Sequence, residues 1–143
     1  MKSDEYTTPQ VADIIGVPQR KILSYIERGY VEPSIQSAAG HGSKRLWSRL
    51  DIVRCAAIKL LLSFCSVDAV RQVVDFIKDD RMVGIDQVWN VVLINDKPTV
   101  VRGSVEPGVN PHEMLSKEWR NRNPATLVIS FAGIHAEINT RIN

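Results

Sequence analysis

A mostly helical fold with a small amount of β structure is predicted, arranged as four helices with a β-hairpin and followed by a small α/β unit. Three observations predict it. Helix-capping boxes precede apolar residues at helical spacing throughout the first eighty residues. A stretch of small residues, Ser37-Ala38-Ala39-Gly40-His41-Gly42-Ser43, separates two short extended segments. Beyond residue 86 the pattern changes to a β-branched run, Val88-Trp89-Asn90-Val91-Val92-Leu93-Ile94.

The first helix is set by Thr7 and Gln10, which stand at capping-box spacing, and by Pro9, placed where a missing N–H costs nothing. Val11, Ile14 and Ile15 give it one apolar face and Gly16 ends it. After Val17, Pro18 opens a second helix with Ile22, Leu23 and Ile26 inward, which Gly29 ends. Arg20, Lys21, Ser24 and Arg28 point away from that stripe. Two short helices joined by a tight Gly-Val-Pro turn have the layout of a helix-turn-helix, whose second helix enters the major groove of DNA.

Tyr30 to Ile35 and Lys44 to Trp47 flank the glycine-containing tip as a β-hairpin, the expected wing. Ser48 and Asp51 form a second capping box, opening a longer helix with Val53, Ala56, Ala57, Leu60 and Phe64 inward, down to about Cys65. Ser66 caps a fourth helix in which Val70, Val73, Val74 and Ile77 recur at i, i+3, i+4 and i+7. The next hairpin pairs the 88–94 run with Thr99-Val100-Val101-Arg102 across Asn95-Asp96-Lys97-Pro98. A helix from Pro111 to Trp119, a strand from Thr126 to Phe131 and a helix from Gly133 to Ile142 complete the chain. The expected organisation is therefore a winged helix-turn-helix over 1–80, a linker over 81–86 and a small α/β domain over 87–143.

The 143 residues, 44% hydrophobic, suffice to bury a core. The longest apolar stretch, Ala56 to Phe64, is interrupted by Lys59 and Ser63 and falls far short of the roughly 20 apolar residues that cross a bilayer. The N-terminus carries no apolar signal core, so a cytoplasmic, nucleoid-associated protein is expected. Net charge is only +2. Its distribution says more: between Pro18 and Lys59 stand Arg20, Lys21, Arg28, Lys44, Arg45, Arg49, Arg54 and Lys59, against Glu27, Glu32 and Asp51. Such a local excess is the footprint of a surface for polyanions.

Other chemistry is poorly supported. Cys55 and Cys65 lie in apolar helical sequence, where cysteine behaves as a small hydrophobe, and their spacing puts them on different sides of one helix. His41, His112 and His135 make no ligand pattern with them, so neither a metal nor any other cofactor is expected. Gly40-His41-Gly42-Ser43-Lys44 lacks the glycine spacing of a nucleotide-binding loop and no buried strand precedes it. No nucleophile elbow or paired-carboxylate motif marks an enzyme. Trp47 reads as a core residue beneath the wing.

With these motifs in place, the first eighty residues resemble the DNA-binding domain of the MerR family of bacterial regulators. Tyr6-Thr7-Thr8-Pro9-Gln10-Val11-Ala12 looks like the family's opening helix. Gly16-Val17 to Gly29-Tyr30-Val31-Glu32-Pro33 keeps its turn and recognition-helix spacing. Lys44-Arg45-Leu46-Trp47-Ser48 through Asp51-Ile52 is similar to its wing exit, and Ser66-Val67-Asp68 with Val70-Arg71 to the start of its fourth helix. The resemblance implies a sequence-specific regulator that binds double-stranded DNA as a homodimer and, at promoters, meets RNA polymerase. Its DNA-facing residues would be Thr8, Gln10, Gln19, Arg20, Lys21, Ser24, Tyr25 and Arg28 on the helices and Ser43, Lys44 and Arg45 on the wing. Arginine or lysine can read guanine edges there, and a glycine-rich tip lets backbone approach phosphate.

Two features depart from the family. Where members commonly carry an arginine followed by two tyrosines, this chain has Leu23-Ser24-Tyr25. In place of the family's long dimerisation helix there is an α/β segment, so the expected dimer contact is the final-helix stripe of Ile134, Ile138 and Ile142. Two other readings remain open: a DNA-architectural or chromosome-organising protein, and a protein- or ligand-interaction module in the C-terminal part.

Overall fold

The computed structural model describes residues 4–36, 44–64, 66–84, 87–94, 97–104 and 126–142. Helix α1, Thr8–Ile15, starts at Thr7 with both halves of the capping box formed. The backbone N–H of Thr7 donates to Gln10 Oε1 at 2.8 Å, and the Gln10 N–H donates to Thr7 Oγ1 at 3.4 Å. Gly16 closes the helix in the left-handed region at φ 73°, a backbone that favours glycine. Its N–H returns to the carbonyl of Ala12 at 2.9 Å. Helix α2, Gln19–Glu27, begins after Pro18, whose φ of −62° suits the entry and whose missing N–H is no loss there.

The expected wing has a short stem. Gln36 and Leu46 form one antiparallel bridge, with N–H to O distances of 3.1 and 2.8 Å. The strand leaving it, β2 (Leu46–Trp47), pairs mainly with β1 (Tyr6–Thr7), in the register Tyr6 to Trp47 and Thr7 to Leu46. The chain start and the wing exit are thereby zipped together. The tip at 37–43 lies outside the described residues.

Helix α3, Arg49–Phe64, is the spine. Its buried face carries Ile52, Val53, Cys55, Ala57, Ile58 and Leu61, whereas Leu60, expected inward, is 40% exposed. A helix packed on several sides buries more than one stripe, which moves its inner face away from the one a single-sided pattern suggests. Helix α4, Val67–Ile77, buries Val70, Val73, Val74 and Ile77 as its spacing dictates. A 3-10 turn, Asp80–Val83, follows.

Strands β3 (Gln87–Ile94), β4 (Lys97–Ser104) and β5 (Thr126–Ser130) form an antiparallel sheet in the order β4-β3-β5. Asn90 pairs with Val101 on one side and Val128 on the other. Strand β4 runs beside α4. The helix expected over 111–119 lies outside the described residues.

The last helix, α5, spans Phe131–Ile142, so Phe131 opens the helix rather than closing the strand. It packs on α3, α1 and β3. The stripe expected to meet a second copy faces inward in the single chain. Ile134 and Ile138 are 5% and 3% exposed within the single chain, and Ile142 rests against the same core. Their stripe is consumed by contacts with the chain's own helices. Polar ties reinforce the docking. Arg141 Nη1 donates to the Ile14 carbonyl at 2.7 Å, and Lys59 Nζ donates to the Ile15 carbonyl at 2.8 Å. Both cations sit where the last carbonyls of α1 have no helical partner and where the helix dipole favours positive charge. On the other side of α5, the buried His135 ring places Nε2 2.9 Å from the Val83 carbonyl, which requires that nitrogen to carry the proton. One buried cluster therefore runs from Val11 to Ile138. No helix among the described residues is long and apolar enough to cross a membrane.

Candidate nucleic-acid interface

Helix α2 presents two faces. Ile22 and Tyr25 are buried, while Gln19, Arg20, Lys21 and Arg28 are exposed and Ser24 is half-buried. Positions 20, 21, 24 and 28 recur near helical spacing and so share one side of the helix. Among the described residues no carboxylate lies within ion-pair distance of Arg20, Lys21 or Arg28. Their charge is thus available to an anion outside the protein. Lys44 is exposed and Arg45 half-buried where the chain enters β2, and neither is ion-paired among the described residues. The two places expected to meet DNA, helix and wing exit, therefore both offer uncommitted cations.

Three expected DNA contacts are placed differently. Thr8 is 7% exposed and its hydroxyl accepts a hydrogen bond from Trp47 Nε1 at 3.0 Å, inside the core. Tyr25 is 4% exposed, with its ring 6.4 Å from that of Tyr30. Burial, aided by neighbouring Cys55, pushes the Tyr25 hydroxyl above its ordinary value. Position 25 follows the apolar residue Ile22 by one helical step, and that spacing turns its ring inward. Gln10 is exposed, but its side chain is engaged in the cap of α1. Ser43 lies outside the described residues.

The basic cluster also divides. Lys59 is spent on α1, as described, and Arg54 is 6% exposed. Arg54 Nη1 bonds Asp51 Oδ1 at 3.0 Å, Nη2 reaches the Lys78 carbonyl at 3.2 Å and Asp80, and Nε donates to the Ile77 carbonyl. Sequence reasoning assigned Asp51 to a helix cap alone. That cap forms, with Ser48 N–H donating to Asp51 Oδ2 at 2.9 Å and Asp51 N–H donating to Ser48 Oγ at 3.2 Å. The same Oδ2 also receives the Ser34 N–H at 2.8 Å and lies 2.7 Å from Ser34 Oγ. Among the described residues there is no cluster of histidine, cysteine or acidic side chains that could hold a metal.

Residues 6–76 match the family model of the MerR HTH family regulatory proteins. Over 96 residues, 66% of the chain, it is 35% identical to an uncharacterised HTH-type transcriptional regulator of Mycobacterium bovis and to one of Mycobacterium tuberculosis strain H37Rv. The chain spans about 41% of the length of these relatives. The match encloses α1, the turn, α2, the wing stem, α3 and nearly all of α4, the elements that place Arg20, Lys21 and Arg28 on one exposed face. Through residues 6–76 the chain belongs to the MerR helix-turn-helix family of regulatory proteins.

Proposed function

We propose that the protein regulates transcription by sequence-specific binding of double-stranded DNA. In this reading α2 lies in the major groove and the wing exit grips the phosphate backbone. The observation that supports it is the basic face of α2, Arg20, Lys21 and Arg28, which together with Lys44 and Arg45 has no ion-pair partner among the described residues, within a MerR-type domain. A single helix-turn-helix reads only a few base pairs, so the protein acts as a homodimer on paired half-sites. Its pairing surface lies outside the Ile134, Ile138 and Ile142 stripe. At a promoter the bound dimer meets RNA polymerase. Residues 1–80 form the DNA-reading part, 81–86 the connection and 87–143 the part that carries regulation.

Selection of bound sequences from a random duplex pool tests this directly. A defined motif with two half-sites is expected. Lys21→Ala changes the preferred bases, because an outward residue near the start of α2 reaches base edges, whereas Arg45→Ala weakens all sequences alike, because a wing residue holds backbone. Enrichment without any motif favours an architectural DNA-binding role instead.

A further inference from the structure

The polar chain Ser34–Asp51–Arg54–Asp80, buried at Asp51 and Arg54 and exposed at both ends, joins two places distant in sequence: the base of the wing and the end of α4. Asp51 is 1% exposed and its two oxygens are filled, Oδ2 by Ser34 and Ser48 and Oδ1 by Arg54. Ser34 precedes the bridging residue Gln36, and Ser48 follows β2, so one carboxylate holds both ends of the wing. Arg54 holds that carboxylate from behind and spends its other donors on the last carbonyls of α4 and on Asp80. A cleft of about 660 Å³, lined by Tyr30, Pro33, Ser34, Ile77 and Lys78 among others, opens beside this network, with Asp51, Arg54 and Asp80 in its wall. At the cleft, packing does not close α4 onto the wing base, and the polar chain is the tie across it.

We propose that Arg54 and Asp51 are positioning residues for the wing, through which the segment after α4 sets the angle at which Lys44 and Arg45 meet DNA. The wing's reach onto phosphate then depends on a contact at Asp80, at the start of the 3-10 turn that leads towards the sheet. This proposal rests on the DNA-binding reading above. A wing base tied to this junction gives the residues beyond 80 a physical route to DNA affinity, since interactions through a shared polar network do not act independently.

The test uses the two ends of the chain, because removing Arg54 or Asp51 would strand a buried charge and endanger the fold. Ser34 and Asp80 share no hydrogen bond, and Asp80 is largely exposed. In the full chain, Ser34→Ala and Asp80→Ala are each expected to weaken duplex binding roughly threefold to tenfold. The double variant should weaken it by much less than the product of the two, and Asp80→Asn, which keeps an acceptor oxygen, should restore most of the loss. Thermal unfolding confirms that each variant is folded. Independently of DNA, amide exchange at Ser34 and Ser48 should quicken in Asp80→Ala. Multiplicative effects on binding, or unchanged exchange at both serines, overturn the proposal. If the parent protein binds no duplex, the DNA-binding reading fails and the exchange result alone decides the tie.

Discussion

Trp47 Nε1 donates to the Thr8 hydroxyl at 3.0 Å with the indole fully buried, joining the wing exit to the first turn of α1. The bond sits at the end of the β1/β2 pairing and gives a buried N–H the partner it requires. Thr8→Val keeps the shape and removes the acceptor, stranding that donor. A loss of about 1–3 kcal/mol in stability is expected by urea unfolding, and an unchanged midpoint would show that Trp47 finds another partner.

The docking of α5 makes Ile138 a core residue rather than an interface residue. Ile138→Ala should cost about 2–4 kcal/mol of stability by opening a cavity between α5 and α3. Sedimentation should show the variant associated to the same degree as the parent under folding conditions. Loss of assembly with stability intact would mean that the stripe serves a second copy after all.

Gly16 holds its left-handed backbone directly beneath the Arg141 guanidinium, 3.4 Å from where a Cβ would stand. Gly16→Ala strains the left-handed backbone, while its Cβ would meet the Arg141 guanidinium at ordinary contact distance. A destabilisation of about 1 kcal/mol or more is expected in chemical unfolding. A neutral result would indicate that the turn relaxes freely.

Cys55 is buried at the centre of α3, and burial, with the charge of Asp51 adding to it, pushes its thiol well above the ordinary value of 9.0. A raised folded value favours the neutral thiol in the native state. Its contribution to stability is complete below the unfolded value and is lost as pH rises above about 9, at up to about 1.4 kcal/mol per pH unit. Alkylation followed by peptide mapping at pH 8 should leave Cys55 unmodified in the native protein and label it in urea. Rapid native labelling at Cys55 would contradict its burial.

Local signals proved the most legible. Thr7 with Gln10, Gly16, Pro18, and Ser48 with Asp51 each act within one turn of chain, and each cap or break stands where its chemistry placed it. The exposed cations of α2 follow from the position of Ile22, because one buried residue on a short helix fixes which side is wet. What escaped sequence reasoning depends on partners distant in the chain. Thr8 is claimed by Trp47, Lys59 by Ile15 and Arg54 by the end of α4, and nothing within a helical turn of those residues announces it. The isoleucines of α5 form the apolar stripe their spacing announces and pack on the chain's own core, since periodicity reveals that a face is covered and not by what.

The most direct measurement is titration of duplex DNA at a series of salt concentrations. Arg20, Lys21, Arg28, Lys44 and Arg45 each stand to displace a counterion, so the logarithm of affinity should fall linearly with that of salt, with a slope of about −3 to −4.5 per protomer. Replacing any one of them by alanine should make the slope shallower by roughly 0.9. Absence of duplex binding at low salt, or binding indifferent to salt, would contradict the account.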